Sequence, residues 1–217
     1  MNKTRDNLRE YIKDSALRNE KNRKQYIFHD KIHFYIIDSL PKDFDTGFVV
    51  TQLEKIVPYH LCKGLDIVYV GQNSEFSGRY LDSLYKDGAI YVTNEQPHEE
   101  AMIDDIIHEI AHCVEENYTE EIYGNQMIER EFVGKRNMLK SLLTQEKVDV
   151  SSFDFNNVEY SKDFDMFLYK YVGYELIVNL TMGLFTNPYA PTSLREYFAT
   201  GFSEYYTGDR NYLNNVC

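Results

Sequence analysis

The sequence predicts an α+β fold, because strand-like segments come first along the chain and helix-like segments follow them. Three early segments are rich in β-branched and aromatic residues and are predicted to be strands: 26–38, 65–70 and 89–93. From residue 98 onward apolar residues recur with the helical period, which predicts four helices: 98–117, 120–145, 162–183 and 193–206. The sequence also predicts a helix over 48–57, a turn at Asp87-Gly88 and a loop over 146–161. The expected fold is therefore a small N-terminal sheet with a mainly helical C-terminal half.

The composition of the chain limits the classes of protein to which it can belong. A chain of 217 residues with 43% hydrophobic and 15% aromatic residues can bury a sizeable core. The net charge of -12 disfavours nucleic-acid binding, which needs a basic surface. No signal peptide is expected from the polar N-terminus, and the apolar run 171–185 is expected to be too short and too polar to span a membrane. The odd number of cysteines, three, fits a reducing compartment, so a cytoplasmic or virion-associated location is expected.

The first 25 residues differ from the rest of the chain in charge. They carry eight Lys or Arg against four acidic residues, which leaves about -16 on the remainder. Residues 2–22 are predicted to be a charged helix, and 1–25 a basic helical arm that docks on a partner or on the acidic body. The alternative is a solvated helix. No internal repeat or low-complexity linker follows, so residues 26–217 are expected to form a single domain.

The motif His108-Glu109-Ile110-Ala111-His112 carries the strongest chemical signal. On a helix, side chains four residues apart share a face, so both imidazoles can reach a single metal ion. Glu109 lies about 100° around the axis, where its carboxylate can take a proton from an attacking water instead of binding the metal. The pattern therefore predicts two metal ligands and a general base.

The residues around this motif support an amphipathic helix. An apolar stripe recurs at 3.6-residue spacing: Ile103, Ile106, Ile107, Ile110 and Val114. The opposite, polar stripe contains both histidines: Asp105, His108, His112 and Glu116. The alternative interpretation is a surface helix that carries two histidines by coincidence.

A zinc site needs a third protein ligand, and Glu196 is the candidate. In a helix that starts near Thr192, Glu196 shares a face with three small residues that would allow close approach to a second helix: Ala199, Thr200 and Ser203. A separate apolar stripe is expected from Leu194, Phe198, Phe202 and Tyr205. Glu204 lies about 80° from Glu196 around the axis and is not expected to bind. By spacing alone, Glu196 could equally be a solvated carboxylate.

The motif His108–His112, followed far downstream by Tyr189 and by E-Y-F-A-x-x-F from Glu196, resembles the catalytic domain of anthrax lethal factor and its relatives. These relatives include the Pro-Pro endopeptidases. The resemblance implies a zincin-like metallopeptidase fold with Zn²⁺ bound by His108, His112 and Glu196. It also implies that Glu109 is the general base and that Tyr189 lies over the scissile group. The interval of seven residues between Tyr189 and Glu196 is its most specific part.

The resemblance covers about half of the chain, roughly 88–207, and departs from the family pattern in two places. Thr200 stands where the second acidic residue of the downstream motif is usual, which would weaken the support of the metal ligands. The interval from His112 to Glu196 is longer than in lethal factor, which implies an extra helical element. Small relatives of this type are common in phage genomes, so a phage or virion origin is expected.

The sequence therefore predicts a zinc-dependent metalloendopeptidase acting on a peptide or protein substrate. In this hypothesis Glu109 activates a water molecule, Tyr189 stabilises the oxyanion, and strand 89–93 is an edge strand along which an extended substrate pairs. The first alternative is a catalytically silent protein of the same fold, for example a structural or binding component of a virion. The second is a regulatory protein that uses the basic arm to bind a partner.

Three further residues that could bind a metal are not expected to do so. His29 and His33 are expected on one strand, where positions four apart lie about 13 Å from each other. Cys113 points away from the two motif histidines and is expected to be a buried small residue. The aromatic side chains of 165–174 are expected to belong to the core.

Overall fold

The computed structural model describes residues 24–73, 76 and 81–217. The predicted helix over 2–22 and nearly all of the basic arm lie outside these residues. The described chain forms two compact units, and the boundary between them falls inside one helix. The first unit extends to Tyr59 and continues over Gly64–Ile106, and the second takes in His60–Lys63 and Ile107–Cys217. That 26–217 form a single domain stays a prediction.

The first unit is built on a five-stranded sheet with the order β1-β2-β3-β5-β4. The strands are β1 (Lys24–Phe28), β2 (Ile32–Ile36), β3 (Ile67–Val70), β4 (Ser83–Lys86) and β5 (Ala89–Val92). The central strands β2, β3 and β5 are parallel, and β1 and β4 pair antiparallel at the two edges. Alternate residues of the central strands point into the core, where Phe34, Val68 and Ile90 are fully buried.

Two sequence predictions about this sheet are wrong. Segment 26–38 is a hairpin and not one strand, because the chain turns at His29 and Asp30, which adopt left-handed conformations with φ of 50° and 59°. Segment 89–93 is not an edge strand, because β5 is hydrogen-bonded to β3 on one side and β4 on the other. The edge on this side is β4, a four-residue strand that the sequence pattern did not reveal.

Helix α1 (Thr46–Ile56) confirms the helix predicted over 48–57. Asp45 caps its N-terminus: the Asp45 side chain accepts a hydrogen bond from the Phe48 backbone N–H at 3.0 Å. The turn predicted at Asp87-Gly88 joins β4 to β5, and both residues have positive φ there.

The long helix α2 (Glu99–Asn117) confirms the helix predicted over 98–117. The second unit continues with α3 (Thr119–Tyr123), α4 (Met127–Gln145), α5 (Lys162–Met166), α6 (Tyr174–Leu180), α7 (Leu194–Thr207) and α8 (Arg210–Val216). A π-helix spans Phe167–Gly173, and short 3-10 helices span Tyr59–Cys62 and Ala190–Thr192. Segment 146–161 contains no helix or strand, as expected for a loop.

Two predicted long helices are interrupted. The helix predicted over 120–145 breaks between α3 and α4, where Gln126 adopts φ of 59°. The helix predicted over 162–183 is divided by the π-helix, which ends at Gly173 with φ of 86°, a conformation that favours glycine. The C-terminal helix α8 was not predicted from the sequence.

The core of the second unit is rich in aromatic side chains. Phe132, Phe155, Phe164 and Tyr197 are buried together with aliphatic residues of α4 and α7. Phe167 belongs to this core, but Tyr169 and Tyr171 are exposed, so the prediction that the aromatic residues of 165–174 are core is wrong for those two.

None of the helices in the described part of the chain has both the length and the apolar character needed to span a membrane. Sheet and helices together confirm the α+β class.

Candidate metal centre

Helix α2 brings the two motif histidines together. The rings of His108 and His112 lie edge to face with their centroids 5.1 Å apart, as their spacing of four residues requires. The predicted apolar stripe from Ile103 to Val114 is buried throughout. The predicted polar stripe is only partly solvent-exposed: Glu116 is exposed, Asp105 and His108 are partly buried, and His112 is only 9% exposed.

Helix α7 carries the third candidate ligand, Glu196, on its first turn. Ser193 caps this helix, and its hydroxyl accepts a hydrogen bond from the Glu196 backbone N–H at 3.2 Å. The small residues predicted to share a face with Glu196 are all buried: Ala199, Thr200 and Ser203. A negative charge at this position is also favoured by the positive end of the helix dipole.

The predicted apolar stripe of α7 is not its buried face. Tyr205 is 44% exposed, and Phe198 and Phe202 are only partly buried. Tyr197 is buried instead, and its hydroxyl contacts Glu131 at 2.8 Å and Lys135. The stripe prediction failed because tertiary partners on α4 satisfy the polar end of a large aromatic side chain.

The three side chains lie close enough together to hold one metal ion. Glu196 Oε2 lies 3.0 Å from His108 Nε2, and Glu196 Oε1 lies 3.7 Å from His112 Nε2. One ligand atom from each residue lies within 4.8 Å of the others. Ligands around a tetrahedral zinc ion are about 3.3 Å apart, as follows from bond lengths near 2.0–2.1 Å. Two imidazoles and a carboxylate are also a donor set typical of catalytic zinc sites.

Glu204, the acidic residue of α7 that is not expected to bind, is not in this cluster. Glu204 Oε1 accepts a hydrogen bond from the Asp209 backbone N–H at 2.9 Å, in the turn that precedes α8. The other pair of histidines is also separate: His29 Nε2 bonds the Val57 carbonyl and His33 Nδ1 bonds Gln25. In the part of the chain that the structure describes, His108, His112 and Glu196 form the one cluster of this kind.

The predicted catalytic residues occupy defined positions, but their roles stay predictions. Glu109 follows His108 on α2 and is 5% exposed, close enough to raise the pKa of His112 through its charge. Tyr189 immediately precedes the 3-10 helix Ala190–Thr192 and is partly buried. Its backbone is held in this turn, since its N–H donates to Asn187 Oδ1 and its carbonyl accepts from Thr192.

His112 and Glu196 strongly shift each other's pKa values. Burial alone would lower the pKa of His112, but hydrogen bonds with Glu115 and Glu196 and the charges of Glu196 and Glu109 raise it to about 9. Burial alone would raise the pKa of Glu196, but hydrogen bonds from both histidines hold it well below its usual range. Because a metal ion binds only the neutral imidazole, a proton has to leave His112 when an ion binds.

A second carboxylate, which the sequence pattern did not indicate, lies beside His112. Glu115 is buried and contacts Arg195 on α7, Tyr123 on α3 and His112 Nδ1. Thr200, where the family motif has its second acid, donates its hydroxyl hydrogen to the Tyr197 carbonyl at 3.2 Å. The carboxylate next to the ligands therefore comes from α2 and not from α7. The i,i+3 spacing of His112 and Glu115 was the available signal for it.

Cys113 is fully buried, as predicted, and its thiol donates to the Lys63 carbonyl at 3.4 Å. Cys62 is also buried, and Cys217 is exposed. None of the three belongs to the cluster of candidate ligands.

Comparisons with known proteins find no matching family model, no similar curated protein and no similar solved structure. The resemblance to lethal factor therefore rests on the residues of the motifs themselves.

Proposed function

We propose that this chain is a zinc-dependent metallopeptidase that cleaves peptide bonds within a polypeptide substrate. The observation that carries the proposal is the convergence of His108 and His112 with Glu196, which lies 88 positions after His108, to within the size of one metal site. The buried Glu109 on the same helix adds the base that hydrolysis needs. A zincin-like fold is part of this proposal.

His108, His112 and Glu196 would hold the ion and leave a coordination position for other groups. A bound zinc ion would polarise the scissile carbonyl and lower the pKa of water at the site. Glu109 takes a proton from the attacking water and later delivers it to the leaving amine. Its burial keeps the carboxylate away from bulk water, which strengthens its interaction with that proton.

Tyr189 is proposed to stabilise the carbonyl oxygen as negative charge develops on it. Pro188 and Pro191 flank the turn, and the hydrogen bonds to Asn187 and Thr192 hold its backbone. A fixed backbone would favour a preorganised phenol, and a preorganised donor needs no costly reorganisation during the reaction. A donor that acts mainly in the transition state lowers the barrier more than it tightens substrate binding.

Replacement of Tyr189 by Phe is expected to lower turnover on a cleavable peptide by about 10²–10³, because it removes one preorganised hydrogen-bond donor. Zinc content and melting temperature should stay near the wild-type values, since only a hydroxyl is lost. Steady-state kinetics should show the loss in kcat more than in KM. The matched control is Tyr171→Phe, at a side chain that is 70% exposed, with wild-type turnover expected. Equal turnover of Y189F and wild type would remove Tyr189 from the mechanism.

The function is tested by elemental analysis of the purified protein combined with proteolysis of a peptide library. We expect one zinc ion per chain and cleavage within peptides. Zinc binding without cleavage of any peptide would favour the catalytically silent alternative.

A further inference from the structure

We infer that Glu115 is a positioning residue that orients His112 toward the metal ion and is itself fixed by Arg195 and Tyr123. This inference rests on the proposed function, because it requires His112 to be a metal ligand. It assigns a role to a carboxylate that neither binds the metal nor belongs to the motif His108–His112.

Both oxygens of the Glu115 carboxylate are occupied. Oε1 accepts a hydrogen bond from the Tyr123 hydroxyl at 2.6 Å, and Oε2 lies 2.7 Å from Arg195 Nε and 3.4 Å from His112 Nδ1. The side chain is only 6% exposed. A buried carboxylate with three partners on three helices has one stable orientation, because any rotation would break a charge-assisted hydrogen bond.

The contact with Glu115 determines which nitrogen of His112 is available to a metal ion. An ionised carboxylate can only accept a hydrogen bond, so Nδ1 of His112 carries the hydrogen. In the neutral imidazole the lone pair then lies on Nε2. Nε2 is the atom that faces Glu196 Oε1, at 3.7 Å. Glu115 therefore selects the tautomer and the ring orientation that the site requires.

Arg195 connects this support to the other ligand-bearing helix. It immediately precedes Glu196 on α7, and its bond to Glu115 joins the first turn of α7 to α2. Its side chain is 57% exposed, so the ion pair on its own is partly screened by solvent. The Tyr123 hydroxyl, from α3, holds the second oxygen of the same carboxylate. One buried side chain thus ties together the two helices that supply all three candidate ligands.

A purely structural role for Glu115 makes a different prediction. If Glu115 only linked the helices, its removal would lower the melting temperature. The affinity for zinc and the ligand field of the metal would stay unchanged in the folded protein. A positioning role changes both metal properties, because an unsupported imidazole binds in more than one orientation.

The test compares zinc affinity, measured by competition with a chromogenic chelator, in wild type, Glu115→Gln and Tyr123→Phe. We expect Glu115→Gln to weaken zinc binding about 10–100-fold, the usual effect of losing such an outer partner, and Tyr123→Phe to weaken it less. The visible spectrum of the Co²⁺-substituted protein should shift in Glu115→Gln. Melting curves of the metal-free proteins identify any variant that does not fold. The matched control is Glu121→Gln, which removes the same charge from an exposed position on α3.

Three outcomes contradict the inference in distinguishable ways. Failure of the wild-type protein to bind zinc overturns the proposed function together with this inference. Tight binding by wild type, with affinity and Co²⁺ spectrum unchanged in a folded Glu115→Gln protein, overturns the inference alone. If Glu115→Gln does not fold, Tyr123→Phe decides the question: unchanged zinc affinity overturns the inference, and weakened affinity with a wild-type melting temperature supports it.

Discussion

The Glu109→Gln protein should keep its zinc and its fold, but its turnover should fall about 10²–10⁴-fold, the contribution typical of a general base. Gln is nearly isosteric with Glu, so the buried space around position 109 remains filled. The amide oxygen cannot take a proton from water at neutral pH, however, so the attacking water is not activated. The decrease should appear in kcat, because the residue acts on the reacting water and not on the substrate.

The measurement is steady-state hydrolysis of a fluorogenic peptide, with zinc content determined on the same samples. Glu116→Gln is the matched control, since Glu116 lies seven residues further along the same helix and is exposed. It should retain wild-type turnover. Activity of E109Q within a few-fold of wild type would show that another group takes the proton.

Replacement of both His108 and His112 by Ala should reduce the zinc content from one ion per chain to nearly none. Peptide hydrolysis should fall to the background rate. Only Glu196 would remain of the three candidate ligands, and a single carboxylate binds zinc weakly in competition with water. The loss of hydrolysis follows because the remaining residues cannot polarise the scissile carbonyl.

Elemental analysis after dialysis measures this effect, and His33→Ala is the control because His33 is an exposed histidine with a separate partner, Gln25. The control should keep a full equivalent of zinc. The double variant should fold, as judged by circular dichroism, although the hydrogen bond between His108 and Glu196 is lost. A full equivalent of zinc in the double variant would mean that the metal binds elsewhere.

The sequence predicted the part of the site that depends on local periodicity. His108 and His112 are neighbours on any helix, and the apolar stripe of α2 predicted that helix correctly. Glu196 was found from the small residues on its face and from the resemblance. Glu115 was missed because its importance depends on Arg195, 80 positions away, and on Tyr123, and no periodic pattern indicates such long-range polar contacts.

The errors in the fold have similar physical causes. His29 and Asp30 form a turn with positive φ although neither is glycine. The sequence therefore lacks a glycine that would indicate a turn within segment 26–38. The four residues of β4 are mostly half-exposed and show no clear alternation, so the sequence pattern does not indicate this edge strand and predicts β5 at the edge instead. The order of strands in a sheet depends on tertiary pairing, which hydrophobic periodicity does not encode.

The metal dependence of peptide cleavage by the wild-type protein tests the proposed zinc-dependent hydrolysis most directly. A peptide library is incubated with the zinc-loaded protein, with the protein after removal of metal by a chelator, and with the chelated protein after zinc is restored. New termini are identified by mass spectrometry. We expect internal cleavage that disappears on chelation and returns with one equivalent of zinc. Cleavage that survives complete removal of the metal, or no cleavage by protein that holds one zinc ion per chain, would contradict the proposed function.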